Sequence, residues 1–130
     1  MSSVIENLKE KLNKYPDVPY TFDETSISFP ASIGGFGIML ETHEGGATVN
    51  FGVWHEEFED ENEAIDVVGF GLSEMCRLRI LSRGQSDYKW IVEEKEDTGW
   101  EQKGEVGLLF WPFWRKKTER ILQNHYIKAV

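Results

Sequence analysis

Residues 36–55, FGIMLETHEGGATVNFGVWH, decide the fold. Apolar and polar residues alternate on both sides of Gly45-Gly46, the pattern of two half-buried strands joined by a tight turn. Two glycines suit a type I′ turn, which requires positive φ at both central positions. Pairing Glu44 with Ala47 sets Phe36, Ile38, Leu40 and Thr42 opposite His55, Val53, Phe51 and Val49, and one face of the ribbon becomes apolar. A slip of one residue would send that set to solvent, so turn and pattern support each other. The other face carries Gly37, Met39, Glu41 and His43 against Trp54, Gly52, Asn50 and Thr48, and is expected to be part-exposed.

Before the hairpin, Val4, Ile5, Leu8 and Leu12 recur at helical spacing and predict a short amphipathic helix over 3–14. Thr25 to Phe29 alternates and stops at Pro30, which predicts an edge strand. After the hairpin, Glu56, Glu57, Glu59, Asp60, Glu61 and Glu63 run into Ala64, Ile65, Val67, Val68, Phe70, Leu72 and Met75. Carboxylates in a first helical turn are stabilised by the positive end of the helix dipole, and Asp60 with Glu63 resembles a capping box. The narrow polar stripe of Asp66, Ser73 and Arg77 makes this the central helix, and Gly69 and Gly71 imply close backbone packing.

Cys76 to Ser82 reads as the last turns of that helix or as a strand, and we take the strand. A Gly84-Gln85-Ser86 loop then sets Leu78 and Ile80 opposite Val92 and Trp90. Lys95 to Gly99 is read as a turn, Trp100 to Lys103 as a short strand, and Val106 to Trp111 as a strand ended by Pro112. A last helix is predicted from Phe113 to Ile127, with Trp114, Thr118, Ile121, Leu122 and His125 along one face.

The expected order is α-β-β-β-α-β-β-(β-β)-α, an α+β fold in which helices pack on a mainly antiparallel sheet, as one domain over 1–130. In element order and acidity this resembles the small chaperones of bacterial type III secretion, whose order is α-β-β-β-α-β-β-α. Gly69-Phe70-Gly71-Leu72-Ser73 and Leu108-Leu109-Phe110-Trp111-Pro112-Phe113-Trp114-Arg115 also look like segments of an uncharacterised group of small bacterial proteins. The first likeness implies protein binding; the second implies no activity.

A net charge of −9 repels phosphate backbones and argues against nucleic-acid binding. No apolar run approaches the roughly 20 residues of a membrane-spanning helix. The first fourteen residues show neither a basic leader nor an unbroken apolar stretch, so a cytoplasmic protein is expected. The single cysteine, Cys76, fits a reducing compartment.

No metal, cofactor or catalytic constellation is read from the sequence. In the expected register His43 and His55 lie about 23 Å apart on opposite faces, too far for a shared metal. Cys76 is read as a buried, inert thiol, because a reactive one needs a cationic neighbour or a helix N-terminus. Gly34-Gly35-Phe36-Gly37 precedes a strand instead of opening a helix and so is no phosphate loop.

The distinctive segment runs from Phe110 to Arg120, where Trp111, Phe113 and Trp114 lead into Arg115, Lys116 and Lys117. Surface aromatics beside cations are the residue types that anchor partners, which points to a non-enzymatic interaction protein of adaptor, chaperone or inhibitor type. The same residues would also serve to stack single-stranded nucleic acid, or to close the core while the cations pair with the acidic run. A further alternative is a small-molecule binder or hydrolase using His55, Glu56 and Trp90 in a pocket between sheet and central helix. The partner expected is another protein, and homodimerisation is open through the Thr25–Phe29 edge.

Overall fold

Strands β3 (Ile38–His43) and β4 (Gly46–Phe51) form the antiparallel ribbon in the computed structural model, which describes residues 3–108 and 113–128. The register differs by two residues from the expected one: His43 pairs with Gly46, Leu40 with Val49 and Ile38 with Phe51. Glu44-Gly45 is the turn, and of these only Gly45 has positive φ, at +93°. Gly46 belongs to the strand instead, paired with His43, and only glycine fits there because a Cβ would overlap the carbonyl oxygen of Phe58. An even slip preserves the face, so Ile38, Leu40, Val49 and Phe51 are all buried.

The ribbon also ends earlier than expected. Gly52, at φ +61°, and Val53 form a second turn, and Trp54 opens strand β5 (Trp54–Phe58) directly opposite Phe51. Trp54 is therefore a core residue stacked at 4.9 Å on Phe51, whereas Val53 is half exposed. His55 sits opposite Asn50, which itself pairs with Met39, so both histidines project from the exposed face. The expectation of opposite faces and seven strand steps is thus corrected: the two histidines share a face, two strands and four positions apart.

Strand β2 (Ser26–Phe29) pairs with β3, and the two-residue β1 (Thr21–Phe22) lies outside it. The sheet order is thus β1-β2-β3-β4-β5, and the Thr25–Phe29 segment expected at the edge is covered in part.

Helix α1 (Ser3–Leu12) buries Val4, Ile5, Leu8 and Leu12, as its spacing predicts. Helix α2 (Glu61–Leu72) is capped by Asp60, whose carboxylate accepts the backbone N–H of Asn62 at 2.8 Å. It packs across β3, β4 and β5 and touches α1, as a central helix should. Gly71 allows the close approach to the sheet: a Cβ there would meet Phe51 at 2.5 Å and the Ile38 methyl at 2.9 Å. Gly69 faces open space, so the close packing expected of both glycines holds for one.

Beyond α2, Cys76–Arg83 is a strand, β6, paired with β7 (Ser86–Glu96). Leu78 faces Val92 and Ile80 faces Trp90, as expected, but the loop is the two residues Gly84-Gln85. A register shift between Leu81 and Ser82 absorbs the extra residue, with Tyr88 at the bulge. Strand β8 (Gly99–Gly107) continues the sheet on the far side of β7.

The last helix is absent: Lys117–Leu122 is a strand, β9, antiparallel to β6 with Leu78 opposite Leu122. The expected strand over 106–111 lies partly outside the described residues. The second sheet is ordered β8-β7-β6-β9, so β9 supplies the ladder partners that β6 would otherwise leave open at a sheet edge. The observed order, α-β-β-β-β-β-α-β-β-β-β, remains α+β but departs from that of the secretion chaperones in its strand count, five before α2 and four after it, and in ending on a strand where a helix was expected. One core cluster joins α1, α2 and the inner faces of both sheets.

Candidate functional site

The β6–β7 turn and the segment after residue 112 meet at one end of the second sheet. Gly84, at φ +61°, donates its N–H to the Lys116 carbonyl at 2.8 Å. The aliphatic stem of Arg115 lies over Gly84, where a Cβ would meet its Cδ at 2.7 Å. Arg83 reaches the Arg115 carbonyl at 3.4 Å. These contacts hold a knob of two aromatic rings: Phe113 and Trp114 pack edge to face at 5.4 Å and are 68% and 72% exposed. Arg115, Lys116 and Lys117 are exposed beside them. Trp111, expected in the same cluster, lies outside the described residues.

Among the described residues none of Arg115, Lys116 and Lys117 forms an ion pair, so these cations do not neutralise the acidic run of 56–63. Next to the knob, a groove of about 540 Å³ shares Lys117 and is lined further by Leu81, Tyr88, Lys89 and Leu108. Leu81, Tyr88 and Ile91 form a small buried cluster apart from the main core, and Ile91 and Leu81 pair with neighbours on the outer face of this sheet. There Glu93, 5% exposed, receives Arg77 at 2.6 Å and Arg79 at 3.6 Å, while Arg77 lies over the Trp100 ring at 4.3 Å.

Charge is divided between the two halves of the chain. Residues 1–75 hold fifteen carboxylates against three lysines, and residues 76–130 hold eight carboxylates against eleven cations. The net charge of −9 therefore comes from the half containing α1, α2 and the first sheet, and the second sheet is mildly basic. The net charge alone does not reveal this division, which a tally by halves of the sequence shows.

A second concavity, about 300 Å³, lies where β5 meets α2 and the second sheet. Glu56 lines it, together with Trp54, Asp66, Phe70, Glu94 and Lys103. His55 projects to the exposed face with Nδ1 near the Val53 carbonyl at 3.4 Å, and Trp90 is buried in the core. The expected trio of His55, Glu56 and Trp90 is thus not brought together. Cys76 is fully buried, and burial, then the charge of Glu94, push its thiol well above the usual range. That removes the thiolate a nucleophile needs. Comparison with protein-family models, with curated proteins and with solved structures finds no match to this chain.

Proposed function

We propose that this chain is a non-enzymatic interaction protein that engages a protein partner through the Phe113–Trp114 knob and its cationic flank. The observation that carries this reading is the exposure of both rings, 68% and 72%, on a backbone pinned to the Gly84 turn. Large aromatic rings bury much apolar area for few rotatable bonds, which is why such residues dominate interface energetics. Arg83, Arg115, Lys116 and Lys117 around them favour a partner with an apolar cleft and an acidic rim. The buried, unpaired cysteine supports a reducing, cytoplasmic setting. No helix among the described residues is long and apolar enough to cross a membrane.

The test is affinity capture from native lysate with the wild type, Phe113→Ala and Trp114→Ala, and with Ile33→Ala as a control on another exposed apolar side chain. Proteins retained by the wild type and the control should be lost from both knob variants, since a hot-spot residue contributes about 2 kcal/mol or more, roughly 30-fold in affinity. Identical recovery by all four proteins removes the knob as the binding site.

A further inference from the structure

We propose that the pocket between β5, α2 and the second sheet receives a lysine or arginine side chain from a basic protein partner. The pocket is separate from the knob. It lies at the Glu94 end of the β6–β7 hairpin and the knob at the Gly84 end, about 23 Å away along seven strand steps.

Its floor is apolar, made by Trp54, Phe70 and Val92, and Glu56, Asp66 and Glu94 stand around it. Among the described residues none of these three carboxylates has a cationic partner. The one cation lining the pocket, Lys103, is shared between Glu96 at 3.8 Å and Glu101 at 3.5 Å. Beside the pocket, Glu96 is held above the ordinary carboxylate range, first by its hydrogen bond with Glu101, then by desolvation, and further by the charges of Glu94 and Glu101.

Carboxylates beside an apolar floor act through a lower effective dielectric than in open water, so their uncompensated field is strongest inside the concavity. A lysine or arginine side chain matches both parts of the site: its methylene stem covers apolar surface while its head stays among polar groups. The volume, about 300 Å³, is at the lower limit for small-molecule sites and suits a single side chain.

The acidic surface continues well past the rim, which selects a protein segment over a free amine. Glu63 lies one turn before Asp66 and Val67 on the same side of α2 and is exposed, where it would meet a further cation flanking the inserted residue. The excess of fifteen carboxylates over three lysines in residues 1–75 would steer such a segment toward this side of the molecule.

The experiment is a titration of the ¹⁵N-labelled full chain, followed by amide and indole shifts, with tetralysine, tetraarginine, tetraglutamate and n-butylammonium at low salt. Tetralysine or tetraarginine should move the Trp54 indole and the amides of Glu56, Asp66 and Glu94 saturably, with affinity falling on the order of tenfold as salt shortens the Debye length from about 30 to 10 Å. The triple variant Glu56→Gln, Asp66→Asn, Glu94→Gln should lose at least tenfold, with its spectral dispersion confirming the fold. A charge-matched control, Glu6→Gln, Glu10→Gln, Glu24→Gln, and Trp114→Ala should bind as the wild type does. The proposal falls if the control weakens as much as the triple variant, if tetraglutamate moves the same resonances, or if n-butylammonium binds as tightly as the peptides. It also falls if sedimentation shows that the chain fills the pocket with a second copy of itself.

Discussion

Asn124 and Phe36 hold each other twice: the Asn124 Oδ1 accepts the Phe36 N–H at 3.1 Å, and its Nδ2 donates to the Phe36 carbonyl at 2.9 Å. The same amide donates to the Gly71 carbonyl at 3.1 Å and accepts the Ser32 N–H and hydroxyl at 3.2 and 3.1 Å. One fully buried side chain from the end of the chain therefore ties the loop before β3 to the last turn of α2. Asn124→Ala leaves several buried backbone groups unpaired and should cost about 2–5 kcal/mol, at about 1–3 per orphaned group with partial relaxation. Gly35→Ala should be similarly costly, because a Cβ there would overlap Oδ1 of Asn124. Urea unfolding midpoints check both. A loss below about 1 kcal/mol for Asn124→Ala would show that water replaces the amide freely.

Gly69 and Gly71 are two residues apart on α2 and should respond to alanine with opposite sign. At Gly69 a methyl meets nothing within 4 Å, so the change gains helix propensity of up to about 1 kcal/mol. At Gly71 it enters the Phe51 ring and the Ile38 methyl, and overpacking of that kind costs about 1–3 kcal/mol. Thermal melts of the two variants are the measurement. A shift of the same sign in both contradicts the close contact between α2 and β4.

The two-residue error in the hairpin register and the missed last strand have a common origin. Binary pattern constrains which face a residue takes, and the buried face of β3 and β4 is legible because Ile38, Leu40, Val49 and Phe51 announce it. It does not distinguish registers that differ by two, and here Gly46 leaves the turn for β4, where the carbonyl of Phe58 on the neighbouring β5 excludes a side chain. In β9 the signal is weaker still, since Lys117 to Arg120 and Ile121 are exposed and only Leu122 is partly buried. With no buried face to set a period, the helical spacing of Trp114, Thr118, Ile121 and Leu122 looked equally good. Backbone bonding to β6, some 40 residues earlier, decided it. The knob was legible as composition. The acidic pocket was legible only through Glu56, because Glu94 and Lys103 arrive from a second sheet whose placement no local pattern encodes.

Cys76 should be inert in the native state. It is fully buried, and both burial and the nearby Glu94 disfavour the thiolate that attacks disulfide reagents. Labelling by a chromogenic disulfide at pH 8 should proceed only through opening of β6, at a rate that rises with urea in step with the unfolding equilibrium. Stoichiometric labelling on mixing, without denaturant, would mean that β6 is accessible at that end and that the core is less closed than the packing of Leu78 and Val92 implies.

The Asp87–Arg120 pair gives the molecule a stability term confined to one pH window. Arg120 donates Nη1 to Oδ1 at 2.7 Å and Nη2 to Oδ2 at 2.8 Å, and the Ser82 hydroxyl adds a bond of 2.6 Å. Chiefly through Arg120, then Ser82, the Asp87 carboxyl is held down from its ordinary 3.8 to about 2. A carboxylate that is more acidic in the folded chain than in the unfolded one stabilises the fold above the unfolded value near 4, and that contribution is lost as pH falls toward about 2. With Arg120 half exposed and Asp87 about one-third exposed, solvent screening limits the contribution to under about 1 kcal/mol. Asp87→Asn should therefore be less stable than the wild type at pH 6 by that amount, with the gap roughly halved at pH 3 and reduced again in 1 M salt. Paired urea titrations of the two proteins at pH 6, 4 and 3 measure it, and a gap that stays constant across them would assign the effect to the lost Ser82 contact instead of the ion pair.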